Sequence, residues 1–252
     1  MANYEEFKDK VALITGGAGG IGKATAKKMG LNGCKLFIGD ITKECVDGAV
    51  AEIAAEGIDA DGSVLDVTSE ESVQAMVDAC MKKYGKIDYL VAAAGIYRDK
   101  MFTDMTFEDW KQTIDINLNG VFLVTRMVLP QMIRRKYGSI IVFGSQAGIR
   151  GSALHTNYSA TKAAMQGLTR SLMYEVATSG VRINCVAPGV IRTPMTMSGS
   201  AEKMEKWTNS IPMRRFGEPV EVANVIAFLL SDDASYVIGQ TVPINGGSVV
   251  NT

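Results

Sequence analysis

The chain has 252 residues, 47% of them hydrophobic and 21% charged, with 26 basic side chains against 27 acidic ones. That is the length of one doubly wound or barrel-type α/β domain at an average globular composition, which excludes disorder and a coiled coil. A net charge of −1 offers no basic field to a phosphate backbone, so nucleic acid is not an expected partner.

His155 is the single histidine, so zinc sites and imidazole-dependent hydrolases are poorly served and no metal site is expected. Cys34, Cys45, Cys80 and Cys185 lack C-x-x-C spacing. They read as buried free thiols of a reducing, cytoplasmic compartment. The opening MANYEEFKDK has no basic stretch followed by an apolar one, and apolar runs such as Val225 to Leu230 fall far short of the ~20 residues that span a bilayer. Neither export nor membrane insertion is expected.

Short β-branched runs alternate with segments of helical period, the pattern of repeated βαβ units. The expected fold is a Rossmann-type doubly wound sandwich: a seven-stranded mostly parallel sheet flanked by helices on both faces, in a single domain over 1–252. The first strand is expected near 10–15. It runs into Gly16-Gly-Ala-Gly-Gly-Ile-Gly22 and a helix over 20–31. Glycines allow a sharp turn and a close approach to a pyrophosphate, whose charge then meets free N–H groups at the helix start, so Gly16, Gly20, Ile21 and Gly22 are candidate dinucleotide ligands. The same stretch matches the first seven residues of a P-loop, but the eighth is Ala24 where magnesium needs a hydroxyl, and that reading fails. Lys23 is then a solvated helix lysine.

A second strand near 35–40 ends in Asp40, 18 residues beyond Gly22, where a carboxylate can accept from ribose hydroxyls. A 2′-phosphate there would face a repulsion of several kcal/mol, roughly, which favours NAD over NADP; Lys43 is the one neighbouring cation. The alternative for Asp40 is a helix N-cap. Helices follow near 43–56, 69–84 and 107–135, the last broken in two, with strands near 60–66, 87–93 and 138–144. A helix over 157–178 carries Tyr158 and Lys162 at i and i+4, on one face. A phenol acting as a base near neutral pH needs its pKa lowered by about 2–3 units, roughly 3–4 kcal/mol, and a neighbouring ammonium can supply much of that. After a strand near 181–187, the segment 193–216 breaks the alternation; it contains Pro194, Gly199 and Pro212. It reads as a loop forming a lid over the sheet's carboxyl edge, with Met195, Met197, Met204, Trp207 and Met213 as adaptable apolar contacts. A helix near 219–230 and a strand near 240–244 complete the pattern.

Several spacings together resemble the short-chain dehydrogenase/reductase family: Thr15-Gly16-x-x-x-Gly20-x-Gly22, Asp66-Val67, Asn117 in Ile116-Asn-Leu-Asn-Gly120, Ser145 thirteen residues before Tyr158, Tyr158-x-x-x-Lys162, and Pro188-Gly189. Gly95-Ile-Tyr-Arg-Asp99, Gly138-Ser-Ile-Ile-Val142 and Ile244-Asn-Gly-Gly247 look most like its 3-oxoacyl-(acyl carrier protein) reductase-like branch. The resemblance implies hydride transfer between a substrate carbon and a nicotinamide, with Tyr158 exchanging the proton and Ser145 holding the substrate oxygen. It implies that Lys162 binds the nicotinamide ribose and lowers the Tyr158 pKa, and that Asn117 shapes the site and anchors a water. Asp66 and Val67 would meet adenine, and Ile191 and Thr193 the carboxamide. A homotetramer built through 107–135 and 157–178 is implied as well.

The chain departs from that pattern at three places. Ala92-Ala93-Ala94-Gly95 stands where the family usually writes Asn-Asn-Ala-Gly, Gly19 replaces the loop arginine of NADPH-using acyl reductases, and Tyr174 replaces a basic carrier-facing residue, although Arg134-Arg135-Lys136 stays basic. The last two favour an NAD-linked enzyme on a small-molecule alcohol or ketone. The expected function is NAD(H)-dependent interconversion of a secondary alcohol and its ketone on a hydrophobic substrate such as a hydroxysteroid. The alternatives are reduction of a 3-oxoacyl thioester, or a non-catalytic NAD-binding sensor or scaffold. His155, three residues before Tyr158, either faces the substrate or is a solvated or capping residue.

Overall fold

The computed structural model describes residues 4–197 and 200–250. Seven strands form one sheet: β1 (Val11–Thr15), β2 (Lys35–Asp40), β3 (Ala60–Val64), β4 (Tyr89–Ala92), β5 (Gly138–Phe143), β6 (Val181–Pro188) and β7 (Thr241–Ile244). They lie in the order β3-β2-β1-β4-β5-β6-β7 with every neighbouring pair parallel. Because the order reverses between β1 and β4, a crevice opens at their carboxyl ends.

Alternation along β1 explains why both faces are covered. Val11 and Leu13 enter one core with Phe37, Leu90, Val124, Val128 and Ile140, while Ala12 and Ile14 enter the other with Met29, Ile38, Val91, Ile141 and Ile226. Helices α1 (Gly20–Gly30) and α2 (Lys43–Ala54) belong to the second face, and α3 (Glu70–Tyr84) to the first. Ser69 starts α3, its hydroxyl accepting from the Ser72 N–H at 3.1 Å.

The helical run at 107–135 is not broken. Helix α4 (Phe107–Ile114) passes through a π turn, Asp115–Asn119, into α5 (Gly120–Arg135), which keeps Pro130 inside it. By length and composition this run could cross a membrane, but Val121, Val124, Val128 and Met132 are buried against the sheet and Asp109, Lys111, Asp115 and Arg126 charge it. It is a core helix. The expected helix near 157–178 is α7 (Thr156–Val176), preceded by a five-residue α6 (Gln146–Arg150) that the sequence pattern had not suggested.

Within 193–216, expected as a loop, the described residues form two helices, α8 (Pro194–Met197) and α9 (Ala201–Ser210), the latter capped by Ser200. Gly199, one of its expected breakers, lies outside the described residues. Ile191 and Gly217 form a parallel bridge, so the excursion leaves and rejoins the chain at one point before α10 (Pro219–Leu230). Three cysteines are buried as expected, but Cys45 is exposed on the outer side of α2. Lys23 is a partly solvated lysine of α1, and its ammonium pairs with Glu52 of α2 at 2.7 Å.

Candidate active site

A cleft of about 490 Å³ lies at the carboxyl ends of β1, β2, β4, β5 and β6. Gly16, Gly20, Ile21, Gly22, Asp40, Asp66, Val67, Ser145, Tyr158, Lys162, Ile191 and Thr193 all line it. Asn117 does not, and is buried behind the wall.

The turn after β1 needs its glycines for separate reasons. Gly16 has φ +64°, and a Cβ there would come within 2.8 Å of the Ala94 nitrogen; at Gly22 a Cβ would meet the Gly16 oxygen at 2.2 Å. The N-terminus of α1 therefore rests against the turn, and the first N–H groups of the helix face the cleft, where a pyrophosphate would be held. At Gly19, by contrast, nothing lies within 4 Å of an added Cβ.

Asp40 faces this turn: its Oδ2 accepts from the Ala18 N–H at 3.1 Å and its Oδ1 from the Ile41 N–H at 2.8 Å. It is not a helix cap, because Thr42 accepts from the Cys45 N–H at the start of α2. Lys43 is paired with Asp47 at 2.6 Å. Asp66 accepts from the N–H and hydroxyl of Thr68 at 2.9 and 2.7 Å, and Val67 packs against Gly120. Where the family motif carries asparagines this chain has Ala92 and Ala93; the Ala93 N–H donates to the Thr15 carbonyl and the Ala94 N–H to the Thr15 hydroxyl, each at 3.2 Å.

Ser145 follows β5, and its Oγ accepts from the Ala147 N–H at 3.1 Å, which starts α6. Its hydroxyl is also hydrogen-bonded to Tyr158. One turn along α7, Lys162 is buried and its Nζ donates to the Phe143 carbonyl at 2.8 Å while lying 5.5 Å from the Tyr158 ring centre. Burial pulls the Lys162 ammonium down to about 8. The phenol behaves differently from the sequence expectation. Burial pushes the Tyr158 pKa up, and the hydrogen bond with Ser145 only opposes this. The chain by itself therefore keeps the proton on Tyr158 instead of preparing a phenolate.

Asn117 lies in the π turn. Its Oδ1 accepts from the Ile96 N–H at 2.8 Å and its Nδ2 donates to the Ile96 carbonyl at 2.9 Å. The side chain thus clamps the strand-to-loop segment after β4, close to the Lys162 ammonium at Gly95. π turns recur at functional sites because one extra residue redirects a helix face.

His155 is not solvated, and although it stands at the N-cap of α7 its side chain does not cap the helix. It is buried at the start of α7 without a capping bond from its side chain, with Nε2 2.7 Å from Asp99 Oδ1 and Nδ1 2.8 Å from Ser152 Oγ. Tyr97 stacks on it. Tyr97 and Asp99 were quoted in the sequence only as part of a family-like stretch; their meeting with Lys203, 104 residues away, has no local signal. Of the four methionines in the expected lid, Met195 lines the cleft and Met213 lines a separate cavity.

The model of a family described as enoyl-(acyl carrier protein) reductase matches residues 16–249. The chain is 46% identical over 246 residues to 3-oxoacyl-[acyl-carrier-protein] reductase FabG of Thermotoga maritima, covering 97% of this chain and 99% of that protein. It is 38% identical over 241 residues to the Escherichia coli (strain K12) protein of the same name, covering 96% and 98%. Among solved structures, a short-chain dehydrogenase/reductase described as glucose/ribitol dehydrogenase from Brucella melitensis superposes with a TM-score of 0.93 at 36% identity, covering 99% and 100%. A structure titled levodione reductase gives 0.90 at 36%, covering 96% and 98%.

Proposed function

The chain belongs to the short-chain dehydrogenase/reductase family, and from that premise we propose that it reduces the ketone of a 3-oxoacyl thioester to the secondary alcohol with NADH. The observation that carries the reading is the Ser145–Tyr158 hydrogen bond beside buried Lys162, on the wall of a glycine-lined cleft. The glycine cradle, whose Cβ positions are filled by backbone at Gly16 and Gly22, fits a dinucleotide. When bound, the nicotinamide supplies the hydride.

The residues of the chain supply the rest. Tyr158 holds a proton at its phenol oxygen, as burial favours, and gives it to the carbonyl oxygen as negative charge grows there. Ser145 holds the same oxygen by its hydroxyl. Lys162 presents an ammonium beside the phenol and the nicotinamide ribose, restoring the charge balance after the proton leaves. Asn117 positions the Ile96 backbone that borders this group. Asp40, anchored on the glycine turn, takes the adenosine ribose hydroxyls and repels a 2′-phosphate. Ile191 and Thr193 border the nicotinamide end, and Asp66 and Val67 the adenine end.

The thioester reading replaces the hydroxysteroid one on the strength of relatives at 38–46% identity named for 3-oxoacyl reduction. A second reading, a free secondary alcohol or ketone, draws on Tyr174, which is exposed without a charge for an acidic carrier, and on Arg135, which is spent on Asp88. Three buried, unpaired thiols suit a reducing compartment such as the cytoplasm. The exposed Phe107 and Phe122 of the 107–135 run and Tyr174 of α7 suit assembly as a homotetramer through those helices.

The test is oxidation of NADH and NADPH with 3-oxobutanoyl-coenzyme A, the same acyl group on carrier protein, and a panel of free ketones. Turnover of a thioester with the better kcat/KM for NADH is expected. Tyr158→Phe should lose about 100-fold or more in kcat while NADH binding persists. Preference for a free ketone would move the assignment to the second reading, and preference for NADPH would remove the cofactor assignment.

A further inference from the structure

Beside the reacting group, three distant pieces of chain meet at one carboxylate. Asp99 accepts from Nε2 of His155 at the start of α7, from the Lys203 ammonium of α9, and from the Tyr97 hydroxyl. The other ring nitrogen of His155, Nδ1, meets the Ser152 hydroxyl at 2.8 Å. Tyr97 is held on both sides as a result. Its ring stacks on His155 with centroids 4.5 Å apart at 26°, and it meets the Tyr158 ring edge-on at 5.5 Å and 84°. Lys203 lies 6.0 Å from the Tyr97 ring centre and 4.7 Å from that of Trp207, on its own helix. The Lys100 N–H donates to the Leu154 carbonyl at 2.9 Å, where Leu154 has φ +69°, so the two loops carrying Asp99 and His155 are tied to each other.

We propose that Asp99 is a positioning residue for the reduction: it locks Tyr97 between His155 and Tyr158, and through Lys203 it makes the orientation of Tyr158 depend on α9 being docked. The proposal rests on the reading above in that Tyr158 is the proton donor. An edge-on ring limits how far its neighbour can tilt, and proton transfer falls steeply with misplacement, about a hundredfold for 1 Å. Burial works to raise the Asp99 pKa, but its bonds from Lys203, His155 and Tyr97 outweigh that and hold it down to about 2, so the carboxylate is charged throughout the neutral range. The separate ion pair is half in solvent and adds little to stability. Its effect is on placement.

Kinetics with 3-oxobutanoyl-coenzyme A and NADH test this. Tyr97→Phe keeps both ring contacts and removes only the hydroxyl, and Asp99→Asn keeps the size of the hub and removes its charge. Each should lower kcat about tenfold with NADH affinity unchanged, and the double variant should lose no more than either single one. Lys203→Met should do the same, and Lys203→Arg should restore most of the rate. Unchanged kcat in either single variant, or losses that multiply in the double, overturn the proposal. If the wild type turns over no thioester, the reductase reading fails, and the positioning role is read without substrate. In Trp110→Phe protein Trp207 is the sole tryptophan; Asp99→Asn should increase its quenching by acrylamide and shift the phenol titration assigned by difference from Tyr158→Phe. If neither changes, the role is refuted.

Discussion

Lys162 is enclosed at 5% exposure, and its ammonium is pulled down to about 8 from 10.5 by burial. Between those values the unfolded chain carries a proton that the folded chain has released, so unfolding binds protons and stability rises with pH across the window. Below pH 8 both states are protonated and the burial of charge costs its full amount, on the order of 3 kcal/mol. The site thus stores a destabilising group, a common price of reactive placement. Urea unfolding without added cofactor should show wild type gaining stability relative to Lys162→Met by about that amount as pH goes from 8 to 10.5. A difference that stays flat would contradict the burial argument. Tyr158 has the opposite sign, since its raised pKa makes the folded state hold its proton longer above pH 10, but it is common to both proteins and cancels.

The proposed preference for NADH is tested at the turn from β1 into α1. Gly19 is open where Gly22 is closed, so the two glycines predict different outcomes. Gly19→Arg should fold normally and place a cation near the ribose, raising kcat/KM for NADPH about tenfold, or ~1.4 kcal/mol. Gly22→Ala, whose Cβ would overlap the Gly16 oxygen, should weaken binding of both cofactors; fluorescence titration with each measures this, and equal effects of the two variants would refute the distinction. How much of this could be read beforehand follows local periodicity. All seven strands are present within one or two residues of expectation; β1, β4 and β5 were legible as buried apolar runs, while β3 and β7, only partly buried, were legible from their place in the alternation. The glycine turn and the Tyr158/Lys162 pair were legible because each depends on near neighbours, whereas Asp40 was read from its spacing after the turn and holds an N–H 22 residues away. Helix α9 was not, because Gly199 and Pro212 outweighed a short polar helix with a serine cap, and the π turn was not, because Asp115–Asn119 carries no breaker while Pro130 does. The Asp99 hub depends on contacts between segments far apart in sequence, which no spacing encodes.

Across the whole molecule, the sheet separates two cores, and the larger apolar surfaces left uncovered lie outside them. Phe107 is 79% exposed and Phe122 51%, both on the helical run that packs its other side on the sheet. The proposed homotetramer would bury these rings at its subunit contact. Phe122→Glu would put a carboxylate into that contact without touching the sheet, so light scattering on the eluting protein should show a smaller assembly with the fold intact by circular dichroism. An unchanged mass would remove this face as the site of association.

Asp88 stands at the rim opposite the cleft, at 0% exposure, accepting from the Val11 N–H at 2.9 Å and paired with Arg135 and Lys86. Loss of that carboxylate strands the buried Val11 N–H and takes from Arg135 and Lys86, each partly in solvent, the carboxylate they share. The two rims consequently offer unequal room for evolutionary drift: at one, a changed residue costs the folded chain stability, while at the other it alters what the folded chain recognises. A lineage could therefore trade one ketone for another without renegotiating its architecture.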